Sequence, residues 1–215
     1  MKPLALFSAG VAATAALAVC GALAGMTVHA ETPQSDVAQS GAPRYDASGK
    51  LILPADYRDW VFLSSGIDMS YTEAPAVAGM HMFDNVFVPR AAYAAFKRTG
   101  VWPDKTVLML ENRTGRTKGS INRQGQFQTG EVMGLEAHVK DTARFKGGWG
   151  FFGFGGDHAP AAMIPYAASC YACHQTHAAA DTTFVQFYPT LLPVATALGA
   201  LNPAYVAETK DEPKP

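Results

Sequence analysis

Cysteine is scarce in this chain of 215 residues: Cys20, Cys170 and Cys173 are the full set. That number excludes a fold stapled by several disulfides. Basic runs are missing too, and the formal net charge is −1, so the electrostatic footprint of a nucleic-acid-binding surface is absent. After Glu31 no apolar stretch is long enough to span a bilayer. There is no internal repeat, and no methionine follows His174.

What is present begins with a processing signal. Lys2 is the only charged side chain before Glu31, Leu4 to Gly25 is mostly Ala, Leu, Val and Gly, and Val28-His29-Ala30 fits a small-x-small cleavage site. This is the plan of a secretory signal peptide, so residues 1–30 are expected to be removed and the chain exported to a periplasm. An uncleaved anchor fits less well, because Ala and Gly dominate the stretch. So does a lipoprotein cut before Cys20, where Val19 is bulky and apolar residues continue beyond. Residues 31–50 read as a flexible leader, 51–200 as one domain with a sizeable core, and 201–215 as a flexible, charged tail.

With Cys20 assigned to the signal, both remaining cysteines fall in Cys170-Tyr171-Ala172-Cys173-His174. Cys-x-x-Cys-His attaches haem: each thiol adds across one vinyl group, and the next residue places an imidazole under the iron. One helical turn carries all three side chains along one haem edge. A zinc site would need a second ligand pair at the usual spacing. A thioredoxin-like pair would sit early, after a strand, whereas this one lies late in the chain. The expectation is one covalently attached haem c, held by Cys170 and Cys173, with His174 as iron ligand. Candidates for a sixth ligand are Met80, His81, Met82, Met109, Met133, His138, His158 and Met163, each equally at home as a core or surface residue. An iron left with one protein ligand would bind small molecules.

Ahead of the motif, β-branched and aromatic runs at Asp59–Ser65, Met82–Val88, Thr106–Leu110, Phe127–Met133 and Trp149–Phe154 are separated by Gly, Pro, Asn and Asp. This is strand-and-turn punctuation. Pro89 opens a helix through Lys97 that Gly100 stops. A short helix is expected from Lys140 to Phe145, and another under the Cys-x-x-Cys-His motif. The fold class is therefore α+β: mainly antiparallel sheet, a few helices, and the motif on a C-terminal helix.

Several segments, in order, resemble cytochrome P-460: Tyr57-Arg58-Asp59-Trp60-Val61, Tyr93 with Lys97-Arg98-Thr99-Gly100, Gly134-Leu135-Glu136-Ala137, Val139-Lys140-Asp141, Arg144-Phe145, Gly148-Trp149, Cys170 to His174 and Phe187-Tyr188-Pro189. The resemblance runs from about Leu51 to Leu192 and implies a mainly β, homodimeric, periplasmic domain with a five-coordinate haem. It further implies one of two activities. P-460 proteins proper oxidise hydroxylamine and cross-link a lysine to the haem ring; the related cytochromes c′-beta lack that lysine and bind nitric oxide or carbon monoxide in an apolar distal pocket. In this sequence the lysine slot, in Thr106-Val107-Leu108-Met109-Leu110-Glu111, holds Leu110. Lys105 falls five residues earlier, and Lys118 lies in a turn. A distal arginine of the relatives is replaced by Asp84.

On this reading Leu110, Met82, Phe83 and Phe87 cap the iron with apolar bulk, and Leu110, Phe83 and Phe87 contact the haem beside Cys170, Cys173 and His174. Such a cap favours neutral diatomics, because a bound water would lose its hydrogen bonds. Glu111 and Glu136 are candidate acids or bases. The leading expectation is a protein that binds or scavenges nitric oxide. Alternatives are a hydroxylamine or nitric oxide oxidoreductase, and an electron carrier with a sixth protein ligand. The partners implied are a diatomic ligand or hydroxylamine, a redox partner cytochrome and a second copy of the chain, with no nucleic acid.

Overall fold

The computed structural model describes residues 41–69 and 81–211. The expected signal peptide, the leader as far as Ser40, Met80 and residues 212–215 of the expected tail lie outside them.

Five strands make one antiparallel sheet in chain order: β1 (Val61–Ile67), β2 (His81–Val88), β3 (Val107–Arg116), β4 (Phe127–Lys140) and β5 (Trp149–Phe154). Helix α1 (Arg90–Thr99) joins β2 to β3, and α2 (Ser169–His177), α3 (Leu192–Ala197) and α4 (Pro203–Glu208) follow the sheet. The α+β class is as expected. Among the described residues no helix is long and apolar enough to cross a membrane.

Helix α1 starts after Pro89 and ends at Gly100, whose φ of 73° lets its N–H reach back to the Phe96 carbonyl at 2.7 Å. A Cβ at Gly100 would sit 2.5 Å from the Ala200 Cβ, so both backbone angle and space require glycine there. Ala92 and Phe96, four residues apart, form the buried stripe of this helix.

Strand β4 departs from expectation. It runs on through Lys140 where a helix was expected from Lys140 to Phe145, and Thr142 to Arg144 form only a turn closed by the Phe145 N–H on the Asp141 carbonyl at 2.9 Å. Lys140, Ala143 and Arg144 favour helix locally, but Lys140 continues the alternation of Leu135, Ala137 and Val139 with Glu136 and His138, and that period of two keeps it in the strand.

Alternation sorts the sheet into two faces. Val107, Met109, Leu135, Ala137, Val139, Phe152 and Phe154 pack with Leu51, Tyr57, Trp60 and Phe145 in one core. On the other face Leu108 and Trp149 pack with Phe96 of α1, Trp102, Val185, Tyr188 and Leu191. Burying one such aromatic or aliphatic side chain stabilises by roughly 1.5–3 kcal/mol. A bulge between Phe62 and Ser64 in β1 lets Leu63 join the second core while Ser64 stays in register with Val86.

The segment after residue 201, expected as a flexible tail, carries α4. Leu201 and Tyr205 pack on the second core, and Glu208 pairs with His177 at the end of α2 at 2.9 Å.

Candidate functional site

Between the sheet and the C-terminal segments lies a cavity of about 390 Å³. The sheet contributes mainly alternate residues, Ser64, Met82, Asp84, Val86, Leu108, Leu110, Asn112, Glu136, His138 and Phe151, with Met109 and Ala137 between them. The C-terminal part contributes His174, Thr183, Phe184, Phe187 and Tyr188. The size falls in the range of small-molecule and cofactor sites, roughly 300–1,000 Å³.

Cys170 to His174 lie on α2, and Cys170, Cys173 and His174 share one helical face at i, i+3 and i+4. All three are half-buried, whereas Ala172 and Gln175 are exposed. Both thiols are free, and burial pushes that of Cys173 up. Tyr171 pins the helix to β5. Its hydroxyl donates to the Ile164 carbonyl at 2.9 Å and accepts the Phe151 N–H at 3.2 Å, while its ring stands edge-on to Phe151.

His174 is boxed by rings, with centroids at 4.1 Å for Phe184, 4.7 Å for Phe151 and 4.8 Å for His138. Its Nδ1–H donates to the Thr182 carbonyl at 2.9 Å. Burial lowers its pKa and keeps the ring neutral, which leaves Nε2 with the lone pair. His138 is buried and stacks on Phe151 at 4.0 Å, and its Nε2 has no hydrogen-bond partner.

At the other side Leu110 is flanked across the sheet by Val86 and Glu136. Asp84 accepts a hydrogen bond from its cross-strand partner Asn112. Its carboxyl is pushed up by burial, a rise that the Asn112 bond opposes and Asp68 reinforces. Glu136 is likewise raised, by burial first and then by Asp84. Glu136 is solvent-accessible in the open cavity.

The structure brings Leu110, Met82, Glu136 and His174 into this cavity, but not Phe83, Phe87 or Glu111. Met82 and Leu110 share its face with Asp84, whereas Phe83 and Phe87 have the opposite parity on β2. Phe87 packs against Tyr57 and Phe62 on the far side. Glu111 also points away. It is buried and takes hydrogen bonds from Tyr57, from Arg58 at 2.6 and 2.9 Å, and from Arg113. Burial alone would raise its carboxyl, but the bonds from Arg113, Tyr57 and Arg58 outweigh it and hold the pKa below the ordinary value. Tyr57 is pushed up to about 12, by burial and by Glu111. The group is a structural ion network with no free acid. Met69 and Phe184 line the cavity without having been singled out, and His138, named only as a candidate sixth ligand, lines it beside His174.

The lysines are equally informative. Lys105 sits before β3 with a left-handed φ of 68° and pairs with Asp141 and Asp104. Lys118 is exposed in the β3–β4 connection. Among the described residues, none that lines the cavity is a lysine.

The model of one protein family, cytochrome P460, matches residues 54–185, which include the sheet, α1 and the Cys170–His174 helix. The chain belongs to the cytochrome P460 family. No curated protein matches it. Membership makes it a haem protein, and the residues present fit that group. A neutral His174 presents Nε2, two unpaired thiols share its helical face, the cavity has aromatic and aliphatic walls, and the His138 Nε2 is a buried polar atom left for a ligand to satisfy.

Proposed function

We propose that this member of the cytochrome P460 family is an exported c-type cytochrome that binds nitric oxide, or a comparable neutral diatomic, on the open face of a single haem. Thioether bonds from Cys170 and Cys173 and ligation by His174 complete the reading. The observation that carries it is the slot that holds a lysine in hydroxylamine-oxidising relatives. Here it is Leu110, which lines the cavity, while Lys105 is engaged by two carboxylates.

When bound, the haem supplies an iron with one free coordination position. The chain does the rest. His174 is oriented by its bond to the Thr182 carbonyl, and Tyr171 fixes the helix that carries it. Met82, Val86, Leu108 and Leu110 offer a polar ligand no hydrogen bond, which disfavours water relative to a neutral diatomic. Periplasmic location rests on the signal-peptide pattern. A homodimer is supported by exposed Phe62 and Ile67 on edge strand β1. A redox partner cytochrome would reset the iron.

One observation favours the hydroxylamine reading. Asp84 and Glu136 place two carboxylates of raised pKa in the cavity, able to accept protons from a substrate. The electron-carrier reading would require Met82, or Met69 beside it, as sixth ligand.

Absorption spectra of the purified oxidised and reduced protein test the assignment. An ordinary c-type spectrum, a high-spin ferric state and reversible uptake of nitric oxide or carbon monoxide are expected, with poor hydroxylamine turnover on an artificial acceptor. A lysine peptide travelling with the haem peptide after digestion, together with steady hydroxylamine oxidation, would overturn it. A low-spin spectrum with a sulfur-to-iron band would support the electron carrier.

A further inference from the structure

The loop that leaves α2 is held in an unfavourable backbone shape. Asp181 and Thr182 are consecutive non-glycine residues with φ of 46° and 60°, both left-handed. A β-branched residue rarely adopts that region, and such backbone persists only where surrounding contacts over-determine it.

Those contacts come from two distant parts of the chain. Asp181 Oδ2 accepts the backbone N–H of Trp102 at 2.8 Å and the Lys140 ammonium at 2.7 Å. Lys140 also donates to the Trp102 carbonyl at 2.7 Å. The Trp102 indole N–H donates to Thr183 Oγ1 at 2.9 Å, and that hydroxyl donates to the Ala180 carbonyl at 2.8 Å. Trp102 is buried, and the Lys140–Asp181 pair is largely shielded from solvent, with side chains 12% and 17% exposed. Both neighbours of Thr182 are thus fixed, and the product of the arrangement is one carbonyl, that of Thr182, aimed at His174 Nδ1 at 2.9 Å.

We propose that Asp181, locked by Lys140 and Trp102, is a positioning residue that holds the Thr182 carbonyl against His174 and so sets the donor strength of His174 toward the haem iron. This rests on the reading that His174 is the iron ligand. A well-placed acceptor on the far nitrogen fixes the tautomer and ring orientation and raises the basicity of the ligating nitrogen. A more basic ligand stabilises ferric over ferrous iron. Loosening the lock should therefore weaken the iron–imidazole bond and raise the reduction potential.

The test uses the holoprotein and its Asp181→Ala, Asp181→Asn and Lys140→Met variants. Resonance Raman spectra of the ferrous state and redox titrations are recorded at equal haem content. For Asp181→Ala a lower iron–imidazole stretching frequency is expected. The ferrous-to-ferric ratio at fixed potential should rise about tenfold, or about 59 mV for a one-electron couple. Asp181→Asn keeps an oxygen for the Trp102 N–H and tolerates left-handed backbone, so it should stay close to the wild-type values. Should Asp181→Ala fail to accumulate, Lys140→Met must show the same direction, more weakly. Wild-type values in Asp181→Ala, or in Lys140→Met where Asp181→Ala does not accumulate, overturn the proposal. The change in potential from the wild type reports on His174 whichever group occupies the opposite face. Loss of all haem from the wild-type protein on extraction would instead overturn the covalent reading of the site, and a low-spin wild-type spectrum the gas-binding one.

Discussion

Leu110 and Glu136 are cross-strand partners on β3 and β4, and both turn into the cavity that His174 lines. An apolar side chain and a carboxyl thus compete to define what a ligand meets there. Replacing Leu110 by Gln, of similar length, supplies a hydrogen-bonding group at that point. One such bond contributes about 1.4 kcal/mol, so hydroxylamine affinity should rise about tenfold while carbon monoxide affinity changes less. Ligand titrations followed by absorption check this. Equal shifts for both ligands would show that Leu110 does not select between them.

Attachment has its own test. Haem should remain with the polypeptide after acid-acetone extraction, and Cys170→Ala or Cys173→Ala should weaken or abolish that retention. The two thiols share the His174 face of α2 and are not joined to each other, so each is free to react. Complete extraction from the wild-type protein would remove the covalent reading.

Glu111 belongs to stability. Glu111→Gln leaves Arg113 and half-exposed Arg58 facing a neutral amide and should cost about 2–4 kcal/mol, a figure reduced from a fully buried pair because water reaches Arg58. Its carboxyl is depressed in the fold, so this stabilisation is present above the ordinary value of 4.5 and lost as pH falls through the folded value. Denaturant unfolding should show the wild-type advantage at neutral pH shrinking on acidification. The haem spectrum should not change, because Glu111 and the cavity lie on opposite faces of β3.

Much of this was legible in the sequence, for reasons that differ from residue to residue. Pro89 and Gly100 bracket α1 because their constraints act within a few residues. Cys170, Cys173 and His174 fall on one face because spacing alone puts them there. The cavity wall was half legible: Leu110 and Glu136 were placed, but Phe83 and Phe87 were grouped with Met82 although strand parity sends them to the other face. Asp84 and Val86 share the Met82 parity. Glu111 could have been found only from the convergence of Tyr57, Arg58 and Arg113, since Tyr57 and Arg58 are more than fifty residues away. Nothing in Asp181-Thr182 announces left-handed backbone, because Trp102 and Lys140 impose it from afar.

The carboxyls of Asp84 and Glu136 should give a pH dependence opposite to that of Glu111. Both are raised, chiefly by burial, with each carrying a further contribution from a neighbouring carboxylate. Between the ordinary values of 3.8 and 4.5 and the raised folded values, the native state holds more protons than the unfolded chain. Stability contributed by these groups is therefore present at low pH, declines through that window and levels off above it. Glu136→Gln and Asp84→Asn remove an ionisation that the cavity resists. Each variant should gain on the wild type as pH rises from below the carboxylate range to neutrality, in denaturant unfolding of the holoprotein. A gap that stays constant with pH would show that neither group feels the cavity. The same variants separate the two leading functions. If the carboxyls only tune the environment of a neutral ligand, nitric oxide binding survives both substitutions. If they accept protons from hydroxylamine, turnover falls sharply in one or both, and the pH profile of the remaining activity loses its carboxylate limb.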